Sequence, residues 1–513
     1  MTAGGTTRNG RALALKDVPS LEPSQFRGWL VNGVRDKGRR VVSYFGAASN
    51  AAGGTAAEGI SLVAVLADDA NGRLSIARTI SDGTTFESVV PEVAQAHLFE
   101  REIAEQYGVR FEGHPWPKPV RFHHSYRKGY DAWGRSVDAQ IPPGVLDFFR
   151  VEGDEVHEVA VGPVHAGVIE PGHFRFQCHG EQVFHLEIAL GYQHRGIERA
   201  LVGGPTKRTL PYMETAAGDT TIGHAMAYAQ AVEALSGAVV SAHAHAVRGI
   251  ALELERLANH VGDLGALAGD IAYLPTASYC GRLRGDFLNM TAELCGSRFG
   301  RGLVRSGGVG FDLSSDQVRD LRSRLTVART DVTEAVELLW ETPSVRERFE
   351  GTGTVSPDDA EALGLVGPAA RACGIQRDVR HDFPAGIYRF VHLPVMTAHH
   401  GDVNSRAYVR WLEIQQSISF ILSQLDGLPA NGTRAAAGAM RSDALVVALT
   451  EGWRGEICHV AMTDAAGRFS RYKIIDPSFH NWFALALALR DGQISDFPLC
   501  NKSFNLSYCG HDL

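Results

Sequence analysis

Apolar positions follow a strand-like pattern early in the chain and a helical one later. Residues 1–20 are polar, with no recurring apolar position, and read as a flexible N-terminus. SLVAVLA (Ser61–Ala67) is a continuous apolar run of strand length, and RLSIARTI (Arg73–Ile80) alternates with period two. Asn71-Gly72 between them suits a hairpin turn, because both residues tolerate positive φ. PEVAQAHLFEREIAEQYG (Pro91–Gly108) reads as a helix with proline in its first turn and glycine at its end. These elements predict a compact α+β domain over residues 21–127.

Residues 128–160 carry Gly129, Gly134, Pro142, Pro143, Gly144 and Gly153 among polar positions, the composition of a linker. Beyond it, Gly162–Gly191 reads as short strands and loops. Alanine-rich helical patterns follow over Gly223–Leu267 and Ser315–Glu341, then a third over Asn404–Leu425, with β pieces near Glu451–Ile474. The fold class expected is an α+β N-terminal domain followed by a larger, mainly α-helical domain with short β pieces over residues 161–513.

Composition narrows the function. The chain has 513 residues, 44% hydrophobic and 21% charged, which is enough to build about three domains' worth of core. A net charge of −8 argues against a nucleic-acid binder, which needs a basic face. The most apolar stretch, Ala234–Val247, is too short to span a bilayer and contains two histidines. The first twenty residues hold no apolar core of signal-peptide type, so a cytoplasmic location is expected. Seven cysteines with no C-x-x-C pair argue against a disulfide framework and against a self-contained zinc or iron–sulfur site. Histidine stands out: nine of 21 fall within residues 161–260, about twice the even share. Imidazoles titrate near neutral pH, so such a cluster points to proton chemistry or polar ligand binding.

Three stretches carry the candidate chemistry. GPVHAGVIEPGHFRF (Gly162–Phe176) sets His165, Glu170 and His173 on a turn-rich segment, where a carboxylate beside imidazoles either passes protons or only caps its own backbone. In GYQHRGIERA (Gly191–Ala200) a helix would bring His194 and Glu198 together, with Arg195 and Arg199 alongside. In AVRGIALELERLANHVGDLGALAGD (Ala246–Asp270) the apolar stripe includes Ile250, Leu254, Leu257, Val261 and Leu264. Arg256, His260 and Asp263 share another face, either a solvated edge or a polar track into a site. No P-loop is present, since GGPTK (Gly203–Lys207) lacks the spacing; neither a Rossmann fingerprint nor a G-x-S-x-G elbow appears.

These motifs carry a resemblance. FEREIAEQYGVRFEGHPWPKPVRF (Phe99–Phe122) is similar to the signature of the small hydrophilic subunit of complex I. GPVHAG…EPGHFRF, GYQHRGIE, ELERLANHVGDLG, SGGVGFDL, GTGTVSPDDAEALGLVGPAARACGIQRDVR, GDVNSRAYVRWLEIQQSI and DPSFHNW resemble the quinone-site large subunit of complex I and its relatives, the large subunits of membrane-bound nickel–iron hydrogenases. EPGHFRF and the closing DFPLCNKSFNLSYCGHDL look closer to the formate hydrogenlyase or hydrogenase-4 branch. The resemblance implies a hydrogenase large-subunit-like fold for the second domain and an iron–sulfur subunit as its neighbour.

The same resemblance locates what is missing. Hydrogenases hold nickel and iron with two C-x-x-C pairs, whose soft thiolates suit those metals. In the matching ETAAGDTTIGH and DPSFHN the ligand positions are Ala217, Thr220, Ser478 and Asn481, so no nickel–iron centre is expected. The tyrosine that binds the quinone headgroup in complex I matches Gly218, and an arginine of that motif matches Thr215. His165 fits the family's first site histidine, Asp270 an aspartate tied to proton coupling, and His260 a helix histidine. The resemblance therefore implies electron transfer to a quinone-type acceptor, with His165, Glu170, His173 and Asp270 moving protons. His194, Arg195, Gly218, His224 and His260 would line the acceptor site, and Arg195 would stabilise developing negative charge. The chain would hold no cofactor itself and would sit peripherally on the cytoplasmic face of a membrane through partner subunits. A catalytically degenerate structural or coupling subunit is the rival expectation, and a hydrogenase by family name alone is a third.

Overall fold

A computed structural model of the chain describes residues 5–48, 59–81, 83–167, 169–430 and 432–513. The N-terminal part is an antiparallel sheet in the order Gly5–Thr7, Arg73–Ser81, Ile60–Asp68, Arg40–Ala48. Helix α1 (Pro23–Arg35) packs against it. The strand over Ile60–Asp68 is buried on both faces, which is why its sequence is a continuous apolar run rather than an alternation. Helix α2 covers His97–Tyr107 and ends on Gly108, whose φ of 64° closes the last turn. It begins six residues later than the pattern suggested. Pro91 lies in a turn, where Glu92 N donates to Val89 O at 3.1 Å, and Glu100 pins that turn by accepting from Ser88 Oγ and Val89 N.

Residues 5–20 are not loosely attached, contrary to expectation. Gly5–Thr7 pairs with Leu74–Ile76, and Leu13–Ala14 pairs with Ala444–Leu445 of a distant sheet. Asn9 is buried between them, because its side-chain amide replaces missing strand pairings. It donates to Phe383 O (2.7 Å) and Leu449 O (3.0 Å), and accepts from Leu449 N (2.8 Å).

The 128–160 segment has neither helix nor strand until Val156–Val161, which forms the edge of a three-stranded antiparallel sheet with His173–His179 and Gln182–Ala189. The Gly223–Leu267 pattern resolves into two helices, α3 (Thr221–Ser236) and α4 (Ala242–Asp270). Gly237 stops the first with φ 70°, and Ser241 Oγ caps the second by accepting from Ala244 N. Helices α5 (Leu274–Cys295), α6 (Ser315–Glu341) and α7 (Val403–Asp426) complete the helical body around α4. Helix α3 also covers a C-terminal antiparallel sheet in the order Phe469–Ile475, Gly455–Thr463, Ala444–Gly452, Leu13–Ala14. Helix α8 (Pro477–Ala488) leaves that sheet. No helix among the described residues is long and apolar enough to cross a membrane. The chain is thus α+β at its N-terminal end and mainly helical, with sheets, beyond it.

The two parts share a core: Val379, Leu445, Val460 and Phe479 pack in the same cluster as the N-terminal sheet. Buried ion pairs fasten them further. Lys473 Nζ lies 2.6 Å from Glu102 and 3.0 Å from Glu198, and Arg121 also pairs with Glu102. Arg40 bonds Glu456 with both terminal nitrogens, at 2.7 and 2.5 Å. Glu102 of the FEREIAEQYG motif therefore acts as a fastener.

A second buried ionic seam joins α4 to α7. Burial works to raise the Glu253 carboxyl, but Arg256 and Arg380 hold it at about 2, helped by bonds from Ser417 and Tyr388. Because that value lies below the ordinary 4.5, the carboxylate's contribution is fully present above pH 4.5 and is lost as pH falls towards 2. The contribution is on the order of 3 kcal/mol. Urea midpoints of wild type are expected to fall across that acid window more steeply than those of Glu253→Gln; parallel curves would refute the assignment.

Candidate functional site

The C-terminal residues 505–513 gather the site. Ser507 N donates to Ser478 Oγ at 2.8 Å, Tyr508 N to Glu170 Oε2 at 3.3 Å, and Gly191 N to Asp512 Oδ1 at 2.8 Å. Arg195 bridges from the other side, donating to Thr215 O (2.6 Å), Ala216 O (2.8 Å) and Cys509 O (2.8 Å). These bonds set the 215–220 loop beside Glu170 and Cys509. The Cys509 thiol lies between the Glu170 carboxylate and the Gly218 backbone; burial first, then that carboxylate, pushes it up to about 11, so it stays protonated.

Gly218 is exposed at this point, and a Cβ built on it meets nothing within 4 Å. Its φ is not in the left-handed region. A side chain there would extend into open space, so Gly218→Tyr is expected to fold with a stability change under about 1 kcal/mol. Thermal melting checks this, and a collapse of the variant would show the space to be closed.

The four positions matching the hydrogenase ligands do not fit nickel and iron. Ala217 offers no donor atom. Thr220 Oγ1 donates to Asp219 (3.1 Å) and faces Arg454 (3.3 Å); Ser478 Oγ is engaged by Ser507. Asn481 exchanges two bonds with the Val366 backbone, at 3.1 and 3.0 Å. Among the described residues, no group of three or more His, Cys, Asp or Glu is placed to hold a metal.

His224 belongs to a fully buried chain. Its Nε2 lies 3.1 Å from Asp476 Oδ2, its Nδ1 3.1 Å from His459 Nε2, and His459 Nδ1 2.9 Å from the Tyr472 hydroxyl. Burial raises the Asp476 carboxyl, but the His224 bond and Arg454 outweigh it and keep the group below its usual range. A carboxylate only accepts, so His224 donates from Nε2 to Asp476, which also caps α8 at Ser478 N (2.9 Å). Burial holds His459 well below the ordinary imidazole value, so it is neutral.

His165 and Asp270 meet at a second opening. Both line a cavity of about 410 Å³, together with Lys502, Asn501 and Tyr508. His165 Nε2 donates to Gly172 O at 2.8 Å, and no hydrogen bond joins it to Asp270. Gly162 makes this tight loop possible: at φ 86° an added Cβ would lie 2.0 Å from Gly172 O. Partial burial raises the Asp270 carboxyl against the pull of Lys502.

Three expected members lie elsewhere. His173 starts a strand whose alternation sends Phe174 and Phe176 inward to Phe497, and His173 outward to Phe148. There it accepts from Arg175 Nε (3.2 Å) and faces Gly162 O (3.3 Å). His194 precedes the helix that was to pair it with Glu198, because Gly196 at φ 67° delays the first helical residue to Ile197. It bonds Asp512 O at 2.8 Å and stacks on His123, while Glu198 turns to Lys473 and Arg471. His260 sits in the α4–α7 seam, 2.8 Å from Glu413, where burial lowers it to about 4. Arg256, His260 and Asp263 thus form a buried track, not a solvated edge.

Sequence reasoning missed Asp476, His459 and Tyr472 as a set. His459 and Tyr472 sit on neighbouring strands, so only sheet register unites them, and Asp476 alone was within a quoted motif. Asp219 lay within the quoted ETAAGDTTIGH stretch, but Arg454, which holds it at 2.6 Å, stands 235 residues away.

Comparisons with known proteins agree with this architecture. Residues 270–443 match the family model described as respiratory-chain NADH dehydrogenase, 49 Kd subunit, and residues 32–134 match that of the 30 Kd subunit. Carbon monoxide-induced hydrogenase of Rhodospirillum rubrum is 31% identical over 350 residues, 68% of this chain and 97% of that protein. Formate hydrogenlyase subunit 5 of Escherichia coli is 29% identical over 435 residues, 82% of this chain and 76% of its own. NADH-quinone oxidoreductase subunit 4 of Thermus thermophilus is 30% identical over 387 residues, 70% and 94% respectively. The chain belongs to the family of complex I 49 Kd-type subunits and their hydrogenase relatives, and carries a 30 Kd-type region fused ahead of it.

Proposed function

We propose that this chain is a peripheral-arm subunit of a membrane-associated, complex I-like oxidoreductase, working on the cytoplasmic face through partner subunits. Its 49 Kd-type part takes the hydrogenase large-subunit-like fold and forms one wall of a cavity for a quinone-type acceptor. An iron–sulfur cluster on a neighbouring subunit delivers the electrons, since no two of this chain's seven cysteines are spaced C-x-x-C and no metal-holding group is found among the described residues. The observation that carries the reading is the open space at Gly218, beside Cys509 and Glu170. Reduction of a quinone to a quinol takes up two electrons and two protons, and this site has titratable groups where the family's tyrosine is absent.

The chain's own residues divide the work. Glu170 holds and passes protons beside Gly218, the buried imidazole chain does so as far as Asp476, and His165 with Asp270 do so at the cavity they share. Arg195 acts mainly on the loop, because its terminal nitrogens are spent on three carbonyl oxygens. The purified complex is expected to consume a quinone, with turnover of Asp270→Asn several-fold slower. Unchanged turnover would remove Asp270 from the path, and failure of every quinone screened would remove the function.

The engagement of Arg195, His194 and His173 in structural bonds favours a second reading, a coupling subunit with no redox reaction of its own. A complex that transfers electrons equally fast with Gly218 replaced by tryptophan would support it. Hydrogen chemistry at a nickel–iron centre is not proposed, because residues 217, 220, 478 and 481 do not fit the metals.

A further inference from the structure

Three arginines face one cavity far from the groups considered so far. Arg8, Arg11 and Arg389 line an opening of about 420 Å³, whose other wall is the Asn71-Gly72 hairpin tip and Asp382. All three side chains are exposed, and none forms an ion pair among the described residues. Arg389 spends only its Nε, on Pro384 O at 3.3 Å. By contrast, four buried arginines, Arg40, Arg371, Arg380 and Arg454, are each paired with a carboxylate.

The arrangement is built rather than incidental. Arg8 and Arg11 are the ends of one tight turn, closed by Arg11 N donating to Arg8 O at 3.1 Å. Gly10 within it has φ 65°, and an added Cβ would lie 2.6 Å from Gln230 Nε2. Asn9 anchors the turn through its buried amide, and Gln230 Nε2 adds a further bond to Asn9 Oδ1 at 2.7 Å. Opposite, Gly72 packs so closely that an added Cβ would meet Asp382 O at 2.8 Å.

The local carboxylates do not neutralise the arginines. Asp382 turns inward, its side chain only 9% exposed, and accepts from His381 Nδ1 (2.8 Å) and Asp378 N (3.0 Å). Asp69 is taken by Arg40 and Arg377. Three arginines with no carboxylate partner among the described residues line one space, and a multiply charged anion there would be attracted by all of them. Guanidinium forks match tetrahedral oxyanions with paired hydrogen bonds, and a cavity of this size admits a small ligand.

We propose that this cavity binds a phosphoryl-bearing anion, either a soluble phosphate compound or the phosphate of a lipid headgroup. The ligand would tie the N-terminal turn, the N-terminal sheet and the 382–389 segment together.

Calorimetric titration of the full chain with pyrophosphate at low salt tests the site, with sedimentation on phosphatidic acid vesicles as a second arm. Saturable one-to-one binding is expected, weakened at least tenfold in R8Q/R11Q and in R389Q. These residues are exposed, and an unchanged circular dichroism spectrum and melting curve would confirm that the variants fold. Binding of pyrophosphate alone assigns a soluble ligand; vesicle binding lost in the same variants assigns a lipid headgroup. No binding in either arm, binding undiminished in the variants, or binding of an acidic peptide in place of both would overturn the proposal.

Discussion

Replacing Glu413 with glutamine is expected to destabilise the protein by about 3–5 kcal/mol, the usual cost of breaking a buried charge pair from one side. Glu413 is fully buried and is held from three directions, by two arginines and a histidine. Its Oε1 accepts from Arg371 Nε at 2.9 Å, its Oε2 from His260 Nε2 at 2.8 Å, and Arg256 lies 3.6 Å away. Burial raises its carboxyl, but Arg371 and the His260 bond dominate and keep it well below the ordinary range. Without that charge, Arg371 retains Glu451 (2.8 Å) and Arg256 retains Glu253 (3.0 Å), so the loss is partial rather than total. Urea unfolding followed by tryptophan fluorescence measures it, with Arg282→Ala as the control. Arg282 is 52% exposed, and losing its pairs with Asp286 and Asp331 is expected to cost under about 1 kcal/mol. Equal effects of the two substitutions would mean that the buried pair contributes no more than a surface one.

The second large effect falls on turnover. His459→Phe keeps an aromatic ring in the sheet but removes both ring nitrogens from the chain leading to Asp476. If protons reach the site along it, quinone reduction in the assembled complex is expected to slow by about 10²-fold, the lower end of what a positioned acid–base group supplies. The solvent isotope effect should rise as proton delivery becomes limiting. Tyr472 and His224 each lose a hydrogen-bond partner, which costs about 1–3 kcal/mol and leaves the fold intact. Turnover and isotope effect both unchanged would make the chain a structural network only.

The sequence was most informative where a local rule decides the outcome. The start of α6 follows from Ser314 and Gln317, which form a reciprocal cap, and the end of α2 follows from Gly108. The hairpin at Asn71-Gly72 was legible too, although a short helical turn over Asp69–Asn71 replaces the two-residue loop. It was least informative where distant segments meet. Nothing near Asn9 announces that its amide substitutes for a strand partner 440 residues away. His173 looked like a neighbour of His165 because linear spacing hides strand alternation, which sends the two to different faces. The empty position at Gly218 was legible only through motif matching. Its openness, and the company of Cys509 and Glu170, required the fold.

The 128–155 connection acquires a particular meaning from the ion pairs that cross between the two parts. Lys473 with Glu102 and Arg40 with Glu456 bind them as an interface between separate molecules would. The connecting segment supplies none of these ion pairs, although Phe149 packs between Trp116 of the first part and His185 of the second. It also supplies local concentration, so that each half meets the other by an intramolecular encounter rather than by diffusion. A single proteolytic cut there would leave a nicked pair that travels as one species under native conditions and separates only in denaturant. The fused chain is, in energetic terms, a heterodimer supplied in fixed one-to-one ratio.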